Sequence, residues 1–139
     1  MNNTELMYNE IMMDHYMMPH NKKVLENHSH HLKGVNPSCG DEIELYLEIE
    51  NNIIKNASFT GHGCAVSLSS TSILIDSIIG KSVEEAKKII IEFRNMILNK
   101  DNYNKDLLDE ALAFENIKNM PARIKCADLA YKTLESMIN

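Results

Sequence analysis

The sequence has 139 residues, which suits a single domain spanning residues 1–139. Lys and Arg number 14 against 20 Asp and Glu, a formal net charge of −6, so the basic surface typical of nucleic-acid-binding proteins is missing. The purely apolar runs are only a few residues long, which argues against a membrane span, and an N-terminus with Glu5 and Glu10 predicts no secretory leader and a cytoplasmic location.

The N-terminal part of the chain predicts one helix followed by a loop. Residues 4–18 carry apolar side chains at helical spacing and end just before Pro19, so we expect a helix there. Residues 20–37 are polar and predict a loop, with a short extended piece near 32–35. The expected core-packing side chains of the helix are Leu6, Met7, Ile11, Met13 and Met17.

The next segment predicts a β-hairpin. Residues 41–50 alternate between apolar and mostly acidic side chains, which is typical of a half-buried antiparallel strand. Asn51 and Asn52 tolerate the positive φ angles of a tight turn, and residues 53–60 form the return strand.

The remainder of the chain has helical patterns. Gly80 ends the first of them, and the spacing of Ser82 and Glu85 is that of a capping box. The sequence therefore predicts an α+β fold, in which a small antiparallel sheet packs with an N-terminal helix and C-terminal helices. The expected helices are 67–79, 82–98, 105–114 and 123–138.

Each of the three cysteines lies at the boundary of a predicted element. Cys39 precedes the first strand of the hairpin, Cys64 follows Gly61-His62-Gly63, and Cys126 lies in the first turns of the last helix. An odd number of cysteines in a reducing compartment argues against a disulfide framework. Loop ends are where ligands are usually presented, although any one thiol could equally be a small buried core residue.

With Asp41, the cysteines supply the four donors of a tetrahedral zinc site. Their separations in sequence, 64 − 39 = 25 and 126 − 64 = 62, are unlike the paired C-x-x-C of zinc fingers, so spacing alone leaves the metal site open. Arg123, Lys125 and a helix N-terminus predict a lowered pKa for the Cys126 thiol.

The histidines offer a rival set of ligands. His28, His30 and His31 fall in the polar loop, where a solvated surface is the simpler interpretation. His62 lies two residues from Cys64, so it is an alternative ligand or a group that supports one.

Four motifs together resemble the SufU-type zinc-dependent sulfurtransferases of the IscU/NifU-N superfamily, which serve iron–sulfur cluster assembly. They occur in the family's order and cover nearly the whole chain, and the resemblance implies a SufE/NifU-like α+β fold. The motifs are Asp14-His15-Tyr16, Asn36-Pro37-Ser38-Cys39-Gly40-Asp41, Gly61-His62-Gly63-Cys64-Ala65-Val66-Ser67 and Pro121-Ala122-Arg123-Ile124-Lys125-Cys126-Ala127.

Four features favour the SufU branch over the IscU-type scaffolds. Lys125 stands where those scaffolds usually have a histidine, and Arg123 stands where SufU-type proteins have an arginine. The stretch between Cys64 and Cys126 resembles the longer SufU version, and no Leu-Pro-Pro-Val-Lys chaperone-docking sequence occurs.

The resemblance implies that zinc is held by Cys39, Asp41, Cys64 and Cys126. It further implies that Cys39 accepts persulfide sulfur from a SufS-type cysteine desulfurase, a pyridoxal-phosphate enzyme, while Arg123 stabilises the site or docks the partner. Sulfur would then pass to cluster assembly, for example to a SufBCD-type scaffold. Two alternatives stay open: a scaffold that binds a [2Fe–2S] cluster through the same ligands, and a purely structural zinc site.

Overall fold

The structure is a computed structural model that describes residues 2–98 and 100–139, apart from the side chain of residue 4. Within these residues, five α-helices and three antiparallel strands make an α+β fold, as predicted. The elements are α1 (Asn3–Met17), β1 (His30–Asn36), β2 (Asp41–Glu50), β3 (Ile53–His62), α2 (Ala65–Ile78), α3 (Val83–Ile97), α4 (Lys105–Leu108) and α5 (Pro121–Ile138).

The sheet has the order β1-β2-β3, in which the predicted hairpin forms β2 and β3. Asn51 and Asn52 form the turn with φ angles of 53° and 66°, as predicted from their tolerance of positive φ. Leu45 and Leu47 of β2 are fully buried on the inner face of the sheet.

The prediction of a loop before the hairpin was wrong over residues 30–36, which form β1 and pair with β2. Most residues of β1 are exposed, and its sequence lacks the apolar alternation that identified β2. The strand is held against α5 at Gly34, where a Cβ atom would collide with the Thr133 side chain.

Helices α2, α3 and α5 form the core with the inner face of the sheet. The rings of Phe93 on α3 and Tyr131 on α5 stack with centroids 3.7 Å apart. Helix α3 begins with the predicted capping box, in which Ser82 and Glu85 bind each other's backbone N–H groups.

The predicted core stripe of α1 was wrong except for Ile11. Tyr8, Ile11 and Met12 pack against the core, and His15 is buried. Apolar side chains occur all around this helix, so their spacing does not single out the buried face. The predicted core residues that are exposed instead are Leu6, Met7, Met13 and Met17.

The helix predicted over residues 105–114 ends early. Helix α4 stops at Leu108, and a 3-10 segment continues from Asp109 to Asn119. Asp109 has a φ of 48°, which interrupts the α-helical path. None of the helices in the described residues combines the length and hydropathy needed to cross a membrane.

Candidate metal centre

The predicted ligands come from four separate elements. Cys39 ends a short 3-10 helix (Pro37–Cys39), Asp41 begins β2, Cys64 precedes α2 and Cys126 lies in the second turn of α5. One ligand atom from each of Cys39, Asp41 and Cys126 lies within 4.8 Å of the other two. Residues 87 positions apart in sequence therefore meet in one group of donors.

Asp41 is a fully buried carboxylate whose two oxygens are both hydrogen-bonded. The backbone N–H of Cys64 donates to Oδ1 at 2.9 Å, and Nδ2 of Asn36 donates to Oδ2 at 3.1 Å. These bonds hold the carboxylate beside the sulfurs and satisfy part of its need for partners when buried.

The sulfurs of Cys126 and Cys39 lie in direct contact. Their Sγ atoms are 3.1 Å apart, and Asn36 Nδ2 also lies 3.5 Å from the Cys126 sulfur. Cys126 is fully buried, whereas Cys39 is half-buried, so Cys39 is the more accessible of the two thiols.

The predicted lowering of the Cys126 pKa was wrong. Burial, followed by hydrogen bonds with Cys39, Asp41 and Cys64, raises the pKa of this thiol. Arg123 and Lys125, the positive charges expected to oppose this, are both exposed to solvent and do not offset the effect of burial. A bound divalent cation reverses the effect, because a metal deprotonates the thiols that coordinate it.

Cys64 borders the group of three but does not belong to it in this conformation. Its sulfur caps α2, with the backbone N–H of Ser67 donating to it at 3.4 Å. Interaction with the Cys64 side chain is nevertheless among the causes that raise the pKa of Cys126.

Arg123 lies at the mouth of the site. Its guanidinium is exposed, and Nη1 donates to the Cys39 sulfur at 3.8 Å. A hydrogen bond with Cys126, followed by electrostatic interaction with the three cysteines, raises the pKa of Arg123. The arginine therefore supplies a permanent positive charge beside the accessible sulfur.

Two glycines make the close packing of the site feasible. Gly40, between Cys39 and Asp41, has a φ of 67°, a left-handed conformation that other residues adopt only with strain. At Gly63 a Cβ atom would lie 2.5 Å from Oδ1 of Asp41, so only glycine lets the chain pass this close to the carboxylate. The role of Gly63 was not predicted, and neither was that of Asn36.

His62 does not join this group. Its side chain is 74% exposed, and Nε2 faces Oε2 of Glu42 at 3.3 Å. His15, from the first motif, is buried and has both ring nitrogens engaged, one with Ser72 at 2.8 Å and the other with Glu110 at 3.0 Å. Neither histidine is among the converging donors of the described residues.

The donor set fits a metal ion that accepts sulfur and oxygen ligands. In a tetrahedral zinc site with Zn–S bonds of about 2.3 Å, two sulfurs lie about 3.8 Å apart. The sulfurs of Cys39 and Cys126 are already 3.1 Å apart, so a bound ion would separate them slightly, and a ligand atom of Asp41 lies within 4.8 Å of both. The arrangement can therefore bind a metal.

Residues 7–138 match the family profile of the NifU-like N terminal domain. The chain belongs to this family. Among NifU-like relatives, it is 38% identical to the zinc-dependent sulfurtransferase SufU of Bacillus subtilis, with 96% of this chain and 90% of that protein covered. It is 37% identical to the iron–sulfur cluster assembly scaffold protein IscU of Thermotoga maritima, with 96% and 94% covered.

Solved structures of NifU-like proteins have the same fold. The SufU of Fervidobacterium islandicum, described as a cluster assembly scaffold of the SUF system, superposes with a TM-score of 0.90 at 36% identity, with 99% and 100% of the two chains covered. The N-terminal NifU-like protein of Brucella abortus, at 16% identity, shares the fold with a TM-score of 0.85 and coverage of 94% and 91%. The resemblance predicted from the four motifs is confirmed, and the chain is a member of the SufU/IscU-type family of iron–sulfur cluster assembly proteins.

Proposed function

We propose that this protein is a zinc-dependent sulfurtransferase. It accepts persulfide sulfur from a SufS-type, pyridoxal-phosphate-dependent cysteine desulfurase and passes it to iron–sulfur cluster assembly, with a SufBCD-type scaffold as the candidate recipient. The observation that carries the proposal is the meeting of Cys39, Asp41 and Cys126 within 4.8 Å, with Cys39 the accessible member. The SufU name of a relative at 38% identity supports the same assignment.

In this proposal zinc is held by Cys39, Asp41, Cys64 and Cys126. The ion supplies one chemical function, which is to keep the coordinating sulfurs as thiolates. A carboxylate is a harder ligand than a thiolate, so Asp41 binds zinc less strongly than a fourth sulfur would. A weaker set of ligands favours a site that can open and release one sulfur, and it argues against a purely structural site.

Cys39 is the proposed sulfur acceptor because it is half-buried on a loop, whereas Cys126 is fully enclosed within α5. Its thiolate attacks the terminal sulfur of the desulfurase persulfide. A new S–S bond forms on Cys39, the S–S bond of the desulfurase breaks, and the electron pair leaves on the desulfurase cysteine as a thiolate. Arg123, 3.8 Å from the Cys39 sulfur, stabilises negative charge on the attacking and persulfide sulfurs.

The test is mass spectrometry of the protein after incubation with a SufS-type desulfurase and free cysteine. We expect a gain of about 32 mass units, one sulfur atom, on the peptide that contains Cys39. The Cys39→Ser variant should gain no sulfur and should not stimulate the desulfurase. Transfer to Cys64 or Cys126 in the wild-type protein would contradict the assignment of the acceptor.

A cluster scaffold is the second candidate function, because the relative from Thermotoga maritima carries that name at nearly the same identity. In that case the same ligands would hold a [2Fe–2S] cluster. Metal analysis of anaerobically purified protein separates the two functions. About one zinc per chain without a visible chromophore supports the sulfurtransferase, whereas iron with cluster absorption supports the scaffold.

A further inference from the structure

A second group of potential metal ligands lies on the sheet, formed by His28 in the turn before β1 and His31 within it. The two imidazole rings have centroids 5.0 Å apart and an interplanar angle of 77°. Tyr46, the cross-strand partner of His31, lies beside both, with centroids 5.3 Å from His28 and 6.2 Å from His31. His30 and His31 are exposed, as predicted for a solvated surface, and His28 is half-buried. The rings of His28 and His31 nevertheless form an organised cluster with Tyr46.

The hydrogen bonds of the cluster determine which nitrogen of each ring carries the proton. Nδ1 of His28 lies 2.6 Å from the carbonyl oxygen of Leu25, and a carbonyl can only accept. Nδ1 of His31 lies 2.9 Å from Oε2 of Glu44, and an ionised carboxylate can likewise only accept. In both neutral rings Nδ1 is thus the donor, and Nε2 keeps its lone pair.

This is the arrangement by which proteins orient histidines for metal binding. A ligating imidazole almost always donates its other N–H to a carboxylate or a backbone carbonyl, which fixes the tautomer and the ring orientation. His28 has the carbonyl form of that support and His31 has the carboxylate form. Within the described residues, the hydrogen bonds of both rings run through Nδ1 alone.

The separation of the rings also suits one shared ion. With Zn–N bonds of about 2.0–2.1 Å and tetrahedral angles, two imidazoles coordinated through nitrogen have centroids about 5 Å apart. The observed separation is 5.0 Å. His31 is 56% exposed, which leaves room for water in the remaining coordination positions.

We propose that His28 and His31 bind a borderline divalent cation of the zinc type through their Nε2 atoms, at a site separate from the cysteine cluster. The protein supplies two ligands and water the others, so binding is weaker than at a site with four protein donors. The proposal does not depend on the sulfurtransferase function, because it involves none of the residues of the cysteine cluster.

The test is a Zn²⁺ titration of the full chain, followed by ¹⁵N NMR of the imidazole nitrogens and by metal counting at equilibrium. We expect the Nε2 signals of His28 and His31 to shift together as zinc is added. The His28→Gln/His31→Gln variant should bind about one zinc per chain fewer than the wild-type protein. Any zinc bound by the cysteine cluster is present in both proteins, so it does not contribute to the difference between their zinc counts. The test therefore still works if the proposed sulfurtransferase function is wrong.

His20→Gln is the matched control. His20 resembles His31, since it is 78% exposed and its Nδ1 lies 2.9 Å from a carboxylate oxygen of Asp76. The ring next to it, His15, has both nitrogens in hydrogen bonds, so it offers no second nitrogen for a shared ion. This variant should keep the wild-type zinc count. Equal counts in the double variant and the wild-type protein, or unchanged Nε2 signals during the titration, would overturn the proposal. The NMR measurement uses the wild-type chain and so does not depend on whether a variant folds.

Discussion

At the scale of single residues, Asp41 connects the metal centre to the fold. It is fully buried, and its two oxygens accept hydrogen bonds from Asn36 on one side and Cys64 on the other. Leaving a buried donor or acceptor without its partner lowers the stability of the fold by more than an ordinary hydrogen bond contributes to it. The carboxylate is therefore needed for stability even before any metal binds.

We expect Asp41→Asn to destabilise the metal-free protein by about 1–3 kcal/mol, because one amide N–H₂ must then face another donor. The free energy of unfolding in urea measures this. Glu42→Gln is the control, since the neighbouring carboxylate is 43% exposed and its removal should change stability by less than about 0.5 kcal/mol. Equal effects of the two variants would contradict the role assigned to Asp41.

The sequence identified the donor residues better than their surroundings. The family resemblance implied four ligands, Cys39, Asp41, Cys64 and Cys126, and the structure brings three of them, Cys39, Asp41 and Cys126, together. The contributions of Asn36 and Gly63 were missed, since an amide donor and a close backbone approach depend on which chain segments meet. The pKa of Cys126 was mispredicted because the burial of this thiol, which depends on the fold, outweighs the positive charge of the neighbouring Arg123.

At the scale of elements, the packing of β1 on α5 brings Asn36 and Cys126 together. A Cβ atom at Gly34 would collide with Thr133, and it would lie 3.3 Å from Cδ1 of Leu129. Strand and helix can approach this closely only because Gly34 has no side chain. The 3-10 turn that bears Cys39 follows directly from this strand.

We expect Gly34→Ala to destabilise the protein by about 1–3 kcal/mol through overpacking against α5. The Thr133→Ala background removes the obstructing hydroxyl and should recover at least half of that loss. A double-mutant cycle in urea measures the coupling between the two positions. Additive effects of Gly34→Ala and Thr133→Ala would show that this contact does not limit the approach of the two elements.

The elements with a clear period were predictable and the others were not. The hairpin alternates in hydrophobicity and has an Asn-Asn turn, so β2 and β3 were found to within two residues. The edge strand β1 has little buried surface and was placed in a loop. Helix α1 was found, but its buried face was not, since methionines occur on both of its sides.

At the scale of the whole molecule, a metal ion at this centre would join parts of the chain that are distant in sequence. The four proposed ligands come from the turn before β2, from β2 itself and from the starts of α2 and α5. A metal that binds the folded chain and not the unfolded chain stabilises the fold by its binding free energy.

Removal of the proposed zinc should therefore lower the melting temperature markedly. Structural zinc sites have apparent binding free energies of about 10–16 kcal/mol at neutral pH. Thermal unfolding followed by circular dichroism, with and without a strong chelator, measures the shift. The Cys39→Ser variant should show a smaller shift, because it has already lost one ligand. An unchanged melting temperature in the wild-type protein would be incompatible with a zinc site that supports the fold.

The hydroxyl group of Ser70, fully buried in α2, donates to the backbone carbonyl of Ala127 in α5 at 2.7 Å. This bond links the helix that starts beside Cys64 to the turn of α5 that contains Cys126. Cys126 is thus held within a helix that is tied to its neighbour, while Cys39 lies on a turn outside both helices. If Cys39 swings out to meet a partner, Asp41 and Cys126 stay in place, because β2 and α5 hold them.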